Sequence, residues 1–173
     1  IAQKFNNDFD VNDFFKIPEP LIQKEFSRIM SLKDGTKKMS KSDPSDLSRI
    51  NLTDDKDKII NKIKKSKTDT MPMPSEEESL KNRPEVLNLL EIYSSLSNES
   101  VEKSKKEFSG KNFSDFKEKL SNLLVEKIEP ISKEIKRLLN DEKNLDEILL
   151  EGTQKANKYA SKKVKEMKKI IGF

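Results

Sequence analysis

The sequence contains neither cysteine nor histidine. Without cysteine the chain has no disulfide framework and no thiolate metal site. Without histidine it has no imidazole acid–base catalyst, and most zinc sites are excluded. It also lacks an apolar run long enough to span a bilayer, and its start, at Ile1, carries no signal-peptide pattern. Hydrophobic residues make up only 32% of the 173 residues, against 38% charged ones. That is a thin apolar supply for a globular domain, but enough for one helical core if spaced correctly. The formal net charge is only +4. Bulk charge therefore does not make this a nucleic-acid-coating protein, and the placement of the charges matters more.

The most informative stretch present is Thr36-Lys37-Lys38-Met39-Ser40-Lys41-Ser42-Asp43. It sets two lysines and two hydroxyls in the pentapeptide KMSKS. Lysine supplies a mobile point charge, and serine a small donor able to follow moving oxygens. Such a set suits a polyphosphate whose charge shifts during reaction. The turn pairs Asp34-Gly35 and Asp43-Pro44 flank it, which predicts a surface loop able to close over a ligand.

Around the pentapeptide stand Arg28-Ile29-Met30-Ser31-Leu32 and Asp34. Downstream come Lys62-Ile63-Lys64-Lys65, Thr68-Asp69, the run from Asn88 to Ser97, and Glu151-Gly152-Thr153-Gln154-Lys155-Ala156-Asn157-Lys158-Tyr159-Ala160. In order and spacing these segments resemble the tryptophanyl-tRNA synthetases, which are class I aminoacyl-tRNA synthetases. The resemblance covers nearly the whole chain. It implies a Rossmann-like α/β fold in the full-length enzyme. This chain is then expected to be mostly α, with the last sheet strand or strands, the KMSKS loop and a C-terminal helical bundle. The family's other signature, a HIGH-type motif, contains histidine, so it is not in this chain. The chain is therefore expected to be a C-terminal portion, lacking the HIGH motif and the tryptophan pocket.

Residue patterns predict the elements. Ile1 to Asn7 reads as the tail of a helix, and Phe14 to Pro20 as an extended segment before two prolines. Arg28 to Leu32 reads as a buried strand that delivers the loop, joining a parallel sheet by the resemblance. A helix is expected after Thr53 as N-cap, with Ile59, Ile60 and Ile63 inward and Lys58, Lys62, Lys64 and Lys65 outward. Residues 67–82 lose periodicity, through Met71-Pro72-Met73-Pro74 and Glu76-Glu77-Glu78. Pro84 suits the first turn of a helix whose buried stripe is Val86, Leu89, Leu90, Tyr93 and Leu96. A short helix from Val101 to Phe108 ends near Gly110. The apolar series from Phe116 to Leu139 predicts a long helix that Pro130 kinks or splits. Asn144 and Glu147 resemble a capping box for a last helix with Leu145, Ile148, Leu149, Ala156, Tyr159, Val164, Met167 and Ile170 as its apolar set. Gly152 and Ala156 would admit a neighbouring helix closely.

The expected organisation is residues 1–32 as the remnant of the catalytic domain, 33–52 as the KMSKS loop and linker, and 53–173 as the helical anticodon-arm-binding domain. The resemblance assigns Lys38 and Lys41 to the departing pyrophosphate, as catalytic groups. It puts Ile29, Lys38, Met39, Ser40, Lys41 and Ser42 at ATP. The implied reaction joins L-tryptophan to the α-phosphate of ATP, expels pyrophosphate and passes the aminoacyl group to tRNA(Trp). Mg²⁺ would be carried by ATP oxygens and water, and no metal ligand is assigned here. A cytoplasmic homodimer is implied for the full-length enzyme, without a membrane.

Plainer roles stand beside these. Met39 also suits packing that anchors the loop, Ile29 a strand core, Lys37 a solvated surface and Asp43 a turn cap. Glycine at position 35, where the family commonly has proline, suggests a looser loop. Lys155, Lys158, Lys162, Lys163, Lys165, Lys168 and Lys169, against Glu166, form either a solvated face or an attraction for RNA phosphates. The other readings of the whole chain are a tyrosyl-tRNA synthetase-like enzyme and a non-catalytic helical RNA-binding or interaction module.

Overall fold

The computed structural model describes residues 1–22, 27–75 and 80–173. Helices dominate: α1 (Ala2–Asp8), α2 (Lys56–Lys64), α3 (Pro84–Ser97), α4 (Val101–Phe108), α5 (Phe113–Leu139) and α6 (Glu142–Ile171). Two short strands, β1 (Met30–Ser31) and β2 (Asp34–Lys38), form an antiparallel hairpin. The chain divides into two compact units, one made of Ile1–Ile22 with Leu138–Phe173, the other of Gln23–Arg137.

The larger unit holds the core. Val86, Leu89, Leu90 and Ile92 are buried on α3, against Ile59 and Ile63 of α2, Phe108 of α4 and Phe116, Leu120 and Leu124 of α5. Their three- and four-residue spacing places them on one face of each helix. Pro84 opens α3, where its missing N–H costs nothing. Asn98 closes α3 in the left-handed conformation, at φ 56°. Ser100 caps α4 by accepting from the Lys103 N–H at 3.2 Å. Gly110 takes φ 69° just beyond α4, as the expected stop requires. The rings of Tyr93, Phe108 and Phe116 stack edge-on, with centroids 4.9 and 4.8 Å apart along the series.

Several expectations change. The strand is shorter than Arg28–Leu32 and lies in a hairpin, and Asp34 to Lys38 is strand, not loop. The reason is local: the Asp34 carboxylate accepts from both the N–H and the hydroxyl of Thr36, at 3.0 and 2.6 Å, which tightens the return. Asp55, not Thr53, caps α2, accepting from the Lys58 N–H at 2.9 Å. Lys62 is buried, at 2% exposure. It shares the α2 face of Ile59 and Ile63, a stripe that Ser66, two residues beyond the helix, continues. α5 runs unbroken through Pro130. Glu76 to Glu78, assigned above to an irregular crossing, lie outside the described residues.

In the smaller unit, Phe5, Phe9, Phe14 and Phe15 form a ring cluster with centroid separations of 4.7–5.5 Å. Asn6 binds both backbone groups of Phe15, at 2.8 and 3.0 Å. The Lys163 ammonium sits 3.7 Å from the centroid of the Phe14 ring. Asp141, not Asn144, caps α6, accepting from the Asn144 N–H at 3.2 Å. α6 buries none of its residues, so its apolar set remains exposed or half-exposed. Apart from α6 itself, no atom of the smaller unit lies within 4 Å of where a Cβ on Gly152 would be.

Candidate functional site

The KMSKS segment is held by α3 before it becomes a loop. Asn88, buried on α3, bonds both backbone groups of Met30: its Oδ1 accepts from the Met30 N–H at 2.8 Å and its Nδ2 donates to the Met30 carbonyl at 2.9 Å. A side-chain amide thus replaces a neighbouring strand for β1. Gly35 lies against the first turn of α3. A Cβ there would come within 2.5 Å of the Glu85 nitrogen and the Pro84 carbonyl carbon. Glycine is therefore a packing requirement at this position, and the looser loop expected from it does not follow. Leu32, in the hairpin turn, is buried in the core. Its N–H donates to the Ser48 carbonyl at 2.9 Å and its carbonyl accepts from the Lys67 N–H at 2.7 Å.

The loop leaves β2 at Met39, whose N–H donates to the Ile29 carbonyl at 3.0 Å. Both residues also pack against the core. Ser40 and Ser42 hydroxyls lie 2.9 Å apart, and the Asp43 N–H reaches back to the Ser40 carbonyl at 3.4 Å. Lys38 and Lys41 are exposed, and their ammonium groups have no ion-pair or hydrogen-bond partner among the described residues. Lys37 differs, standing 3.4 Å from the Asp34 carboxylate. Hydrogen bonds from Thr36, with help from Lys37, hold the Asp34 carboxyl below its ordinary range. The Asp43 carboxylate accepts from the Ser45 N–H at 2.8 Å, so it serves the turn.

The far end of the loop is bolted by a polar cluster. The Arg49 guanidinium donates to the carbonyls of Asp43 and Ser45, at 2.9 and 3.3 Å, and lies 3.3 Å from the Asp46 carboxylate. The Lys62 ammonium bridges Asp54 at 2.6 Å and Asp46 at 2.8 Å. Asn51 joins both acids: its backbone N–H donates to Asp54 at 2.9 Å and its side-chain amide to Asp46 at 3.0 Å. Lys62 and Asn51 together draw the Asp46 carboxyl below its ordinary value of 3.8.

Between these two fixed ends opens a cleft of about 470 Å³. Ile29, Lys38, Met39, Ser40 and Lys41 line it, with Arg28, Arg49 and Ile50 among the remaining walls. Five of the six expected nucleotide-contacting residues thus share one cavity, and Ser42 is tied to it through Ser40. Its lining combines apolar Ile29, Met39, Ile50 and Leu52 with cationic Arg28, Lys38, Lys41 and Arg49, which suits a ligand with a flat apolar end and an anionic tail. The donor set does not suit a bare divalent ion. None of the cleft's described lining residues is acidic, and Asp43 beside the loop is spent on the turn. No cluster of three or more acidic, histidine or cysteine side chains that could hold a metal occurs among the described residues. Sequence reasoning missed Asn88, Arg49 and Lys62. For Lys62 the signal was its place in the 59, 62, 63, 66 stripe, a core register occupied by a charge. Asp69, one of the resemblance positions, forms a two-point pair with Arg83, at 2.8 and 2.8 Å, beside the start of α3.

Comparison with known proteins follows the same line. The profile of tRNA synthetases class I (W and Y) matches residues 1–129. Tryptophan--tRNA ligases from Brucella melitensis and Agrobacterium fabrum are 45% and 48% identical over the whole of this chain, which covers 54% of each. The chain thus spans about half the length of the curated relatives it matches. The crystal structure of tryptophanyl-tRNA synthetase from Mycoplasma pneumoniae superposes with TM-score 0.82 at 28% identity, over 99% of this chain and 51% of the other. The Campylobacter jejuni enzyme, solved with ADP and tryptophan, has the same fold at TM-score 0.67 and 24% identity, with 99% and 51% covered. No helix among the described residues is long and apolar enough to cross a membrane. A matching profile over three-quarters of the sequence, together with the hairpin-borne KMSKS loop, establishes that the chain belongs to the class I tRNA synthetases of the tryptophan and tyrosine group.

Proposed function

We propose that this chain supplies the phosphate-handling half of a tryptophan--tRNA ligase. In that reaction a carboxylate oxygen of L-tryptophan attacks the α-phosphorus of ATP. The bond from that phosphorus to the bridging oxygen breaks, and pyrophosphate leaves with the electron pair. A 3′-terminal ribose hydroxyl of tRNA(Trp) then attacks the acyl carbon of tryptophanyl-adenylate, and AMP leaves as the new ester forms. The observation that carries this reading is the pair of unpartnered lysines, Lys38 and Lys41, on a loop fixed at both ends beside a half-apolar cleft.

Lys38 and Lys41 grip the leaving pyrophosphate more strongly as its charge grows, so they favour the transition state over bound ATP. Ser40 and Ser42 donate to phosphate oxygens, while Met39 and Ile29 form the apolar seat for the adenine. No residue of this chain is assigned to Mg²⁺, which would be carried by ATP oxygens and water and would supply charge neutralisation of the phosphates. Within residues 33–52, the KMSKS loop and linker, the stretch between the Met39 and Asp43 anchors carries the phosphate contacts, and 53–173 carries tRNA contact.

Lys158, Lys162, Lys165 and Lys169 recur at four-, three- and four-residue steps on α6 and have no ion-pair partner among the described residues. They form a stripe suited to an RNA backbone, positioning it without reading bases. The family resemblance supports a cytoplasmic homodimer for the full-length enzyme.

The test is a chimaera in which this chain replaces the matching half of the Agrobacterium fabrum ligase. The expected outcome is tryptophan-dependent ATP–pyrophosphate exchange and charging of tRNA(Trp). A folded chimaera that binds RNA yet performs neither reaction would overturn the reading in favour of a non-catalytic RNA-binding module.

A further inference from the structure

We infer that Lys62 is a positioning residue for the KMSKS loop, acting through Asp46, and that it fixes the loop's C-terminal post. The inference rests on the phosphate-handling role proposed above. Lys62 stands 21 places beyond the last lysine of the motif, on α2, and among the described residues has no hydrogen bond or ion pair to the pentapeptide. Its ammonium is nevertheless buried, at 2% exposure, on a face otherwise made of Ile59, Ile63 and Ser66. A lysine at a core position is costly unless it is paired. Here it is paired twice, with Asp54 at 2.6 Å and Asp46 at 2.8 Å.

The two acids lie at either end of residues 46–54, the segment that returns the chain from the loop to α2. Holding both on one ammonium closes that segment into a rigid arc. Arg49, at the middle of the arc, grasps the carbonyls of Asp43 and Ser45. Lys62 therefore sets Arg49, and Arg49 sets the last residue of the loop. The other end is held independently, by the Met39 to Ile29 backbone bond and by Asn88. A loop that must bring two ammonium groups to a leaving group needs both posts fixed, because a misplacement of about 1 Å costs on the order of a hundredfold in rate. A purely structural lysine would need only Asp54. Its second bond, to the largely exposed Asp46, goes to the loop side.

Asp46 provides a test that leaves the core pair with Asp54 in place, since 57% of its side chain is exposed. Asp46 also stands 3.3 Å from Arg49, so a folded Lys62→Met variant, which keeps that contact, is measured beside it. Unchanged amide exchange at residues 40–48 in Lys62→Met would assign the hold to Arg49 and overturn the inference. In this chain, amide hydrogen exchange at residues 40–48 is expected to accelerate about tenfold in Asp46→Asn, while α3 amides stay unchanged. In the chimaera, the same substitution is expected to lower kcat for pyrophosphate exchange about tenfold, with the KM for tryptophan and the melting temperature unchanged. Asp46→Glu, which keeps the charge, is expected to recover most of that rate. Unchanged exchange at 40–48 in Asp46→Asn overturns the inference, and so does a loosened loop with undiminished kcat. If the loop loosens in both Asp46→Asn and Lys62→Met but the unsubstituted chimaera has no exchange activity, the functional reading fails while the anchoring of the loop by Lys62 through Asp46 stands.

Discussion

α3 and α6 are both amphipathic by sequence, yet only α3 is built into a core. α3 has 14 residues, six of them buried. α6 has 30 and buries none. The difference shows what a stripe of apolar residues encodes: a surface ready for a partner, with no statement of whether one is there. α3 has its partners within the same unit, in α2, α4, α5 and the hairpin, and it turns that packing to use. One face buries leucines while Asn88 reaches out to align β1. α6 is held by its Asp141 cap, worth about 1 kcal/mol, and by pairs such as Lys155–Glu151 at 2.6 Å, each worth only a few tenths of a kcal/mol.

Matched truncations would break this comparison most sharply. Leu90→Ala on α3 is expected to destabilise the larger unit by about 2–5 kcal/mol, through lost burial and the cavity left behind. Leu149→Ala on α6, with that side chain 58% exposed, is expected to stay within about 0.5 kcal/mol. Urea unfolding followed separately in each unit checks both values, and equal losses would mean that α6 has a covered face after all.

A smaller effect is expected where α3 meets the hairpin. Gly35→Ala forces a methyl group into the Pro84–Glu85 backbone, and overpacking of this kind costs about 1–3 kcal/mol. Loss of protection at residues 30–39 by hydrogen exchange would locate the damage at the loop's N-terminal post.

The features legible in the sequence were those that local chemistry dictates. Pro84, the Val86–Leu89–Leu90 stripe, the Val101–Phe108 helix and the KMSKS residues all announce themselves through period or composition. What escaped depends on partners distant in sequence. Asn88 and Met30 are 58 residues apart, and nothing near either one predicts their two hydrogen bonds. Gly35 read as freedom, whereas the structure makes it a matter of space beside α3. Lys62 read as a solvated cation because its partners Asp46 and Asp54 only come together once the arc closes. Thr53 and Asn144 were plausible caps that lost to Asp55 and Asp141, two residues after and three residues before them. Caps of equal chemical merit are separated only by where the helix axis begins.

The α6 stripe sharpens the comparison from the other side. If Lys158, Lys162, Lys165 and Lys169 meet RNA phosphates, each change to alanine weakens tRNA binding uniformly across sequences and lowers the salt slope by about one. Filter binding across a salt series measures it, and an unchanged slope would leave the stripe a solvated face.

The smallest expected effect concerns pH. The Asp46 carboxyl titrates below its ordinary 3.8 in the folded chain, because Lys62 and then Asn51 bond its charged form. A depressed carboxyl contributes its support at neutral pH and loses it only as pH falls through the folded value. Protection factors at residues 40–48 are therefore expected to be flat down to the ordinary carboxylate range and to drop below it. Asp46→Asn should show no such step.

The central claim is that two free ammonium groups on a doubly anchored loop stabilise departing pyrophosphate. Its most direct measurement is ATP–pyrophosphate exchange by the chimaera with Lys38 and Lys41 both changed to alanine. A fall of at least about a hundredfold in kcat, with the fold and tryptophan binding intact, is predicted. Exchange at the unsubstituted rate would contradict the account.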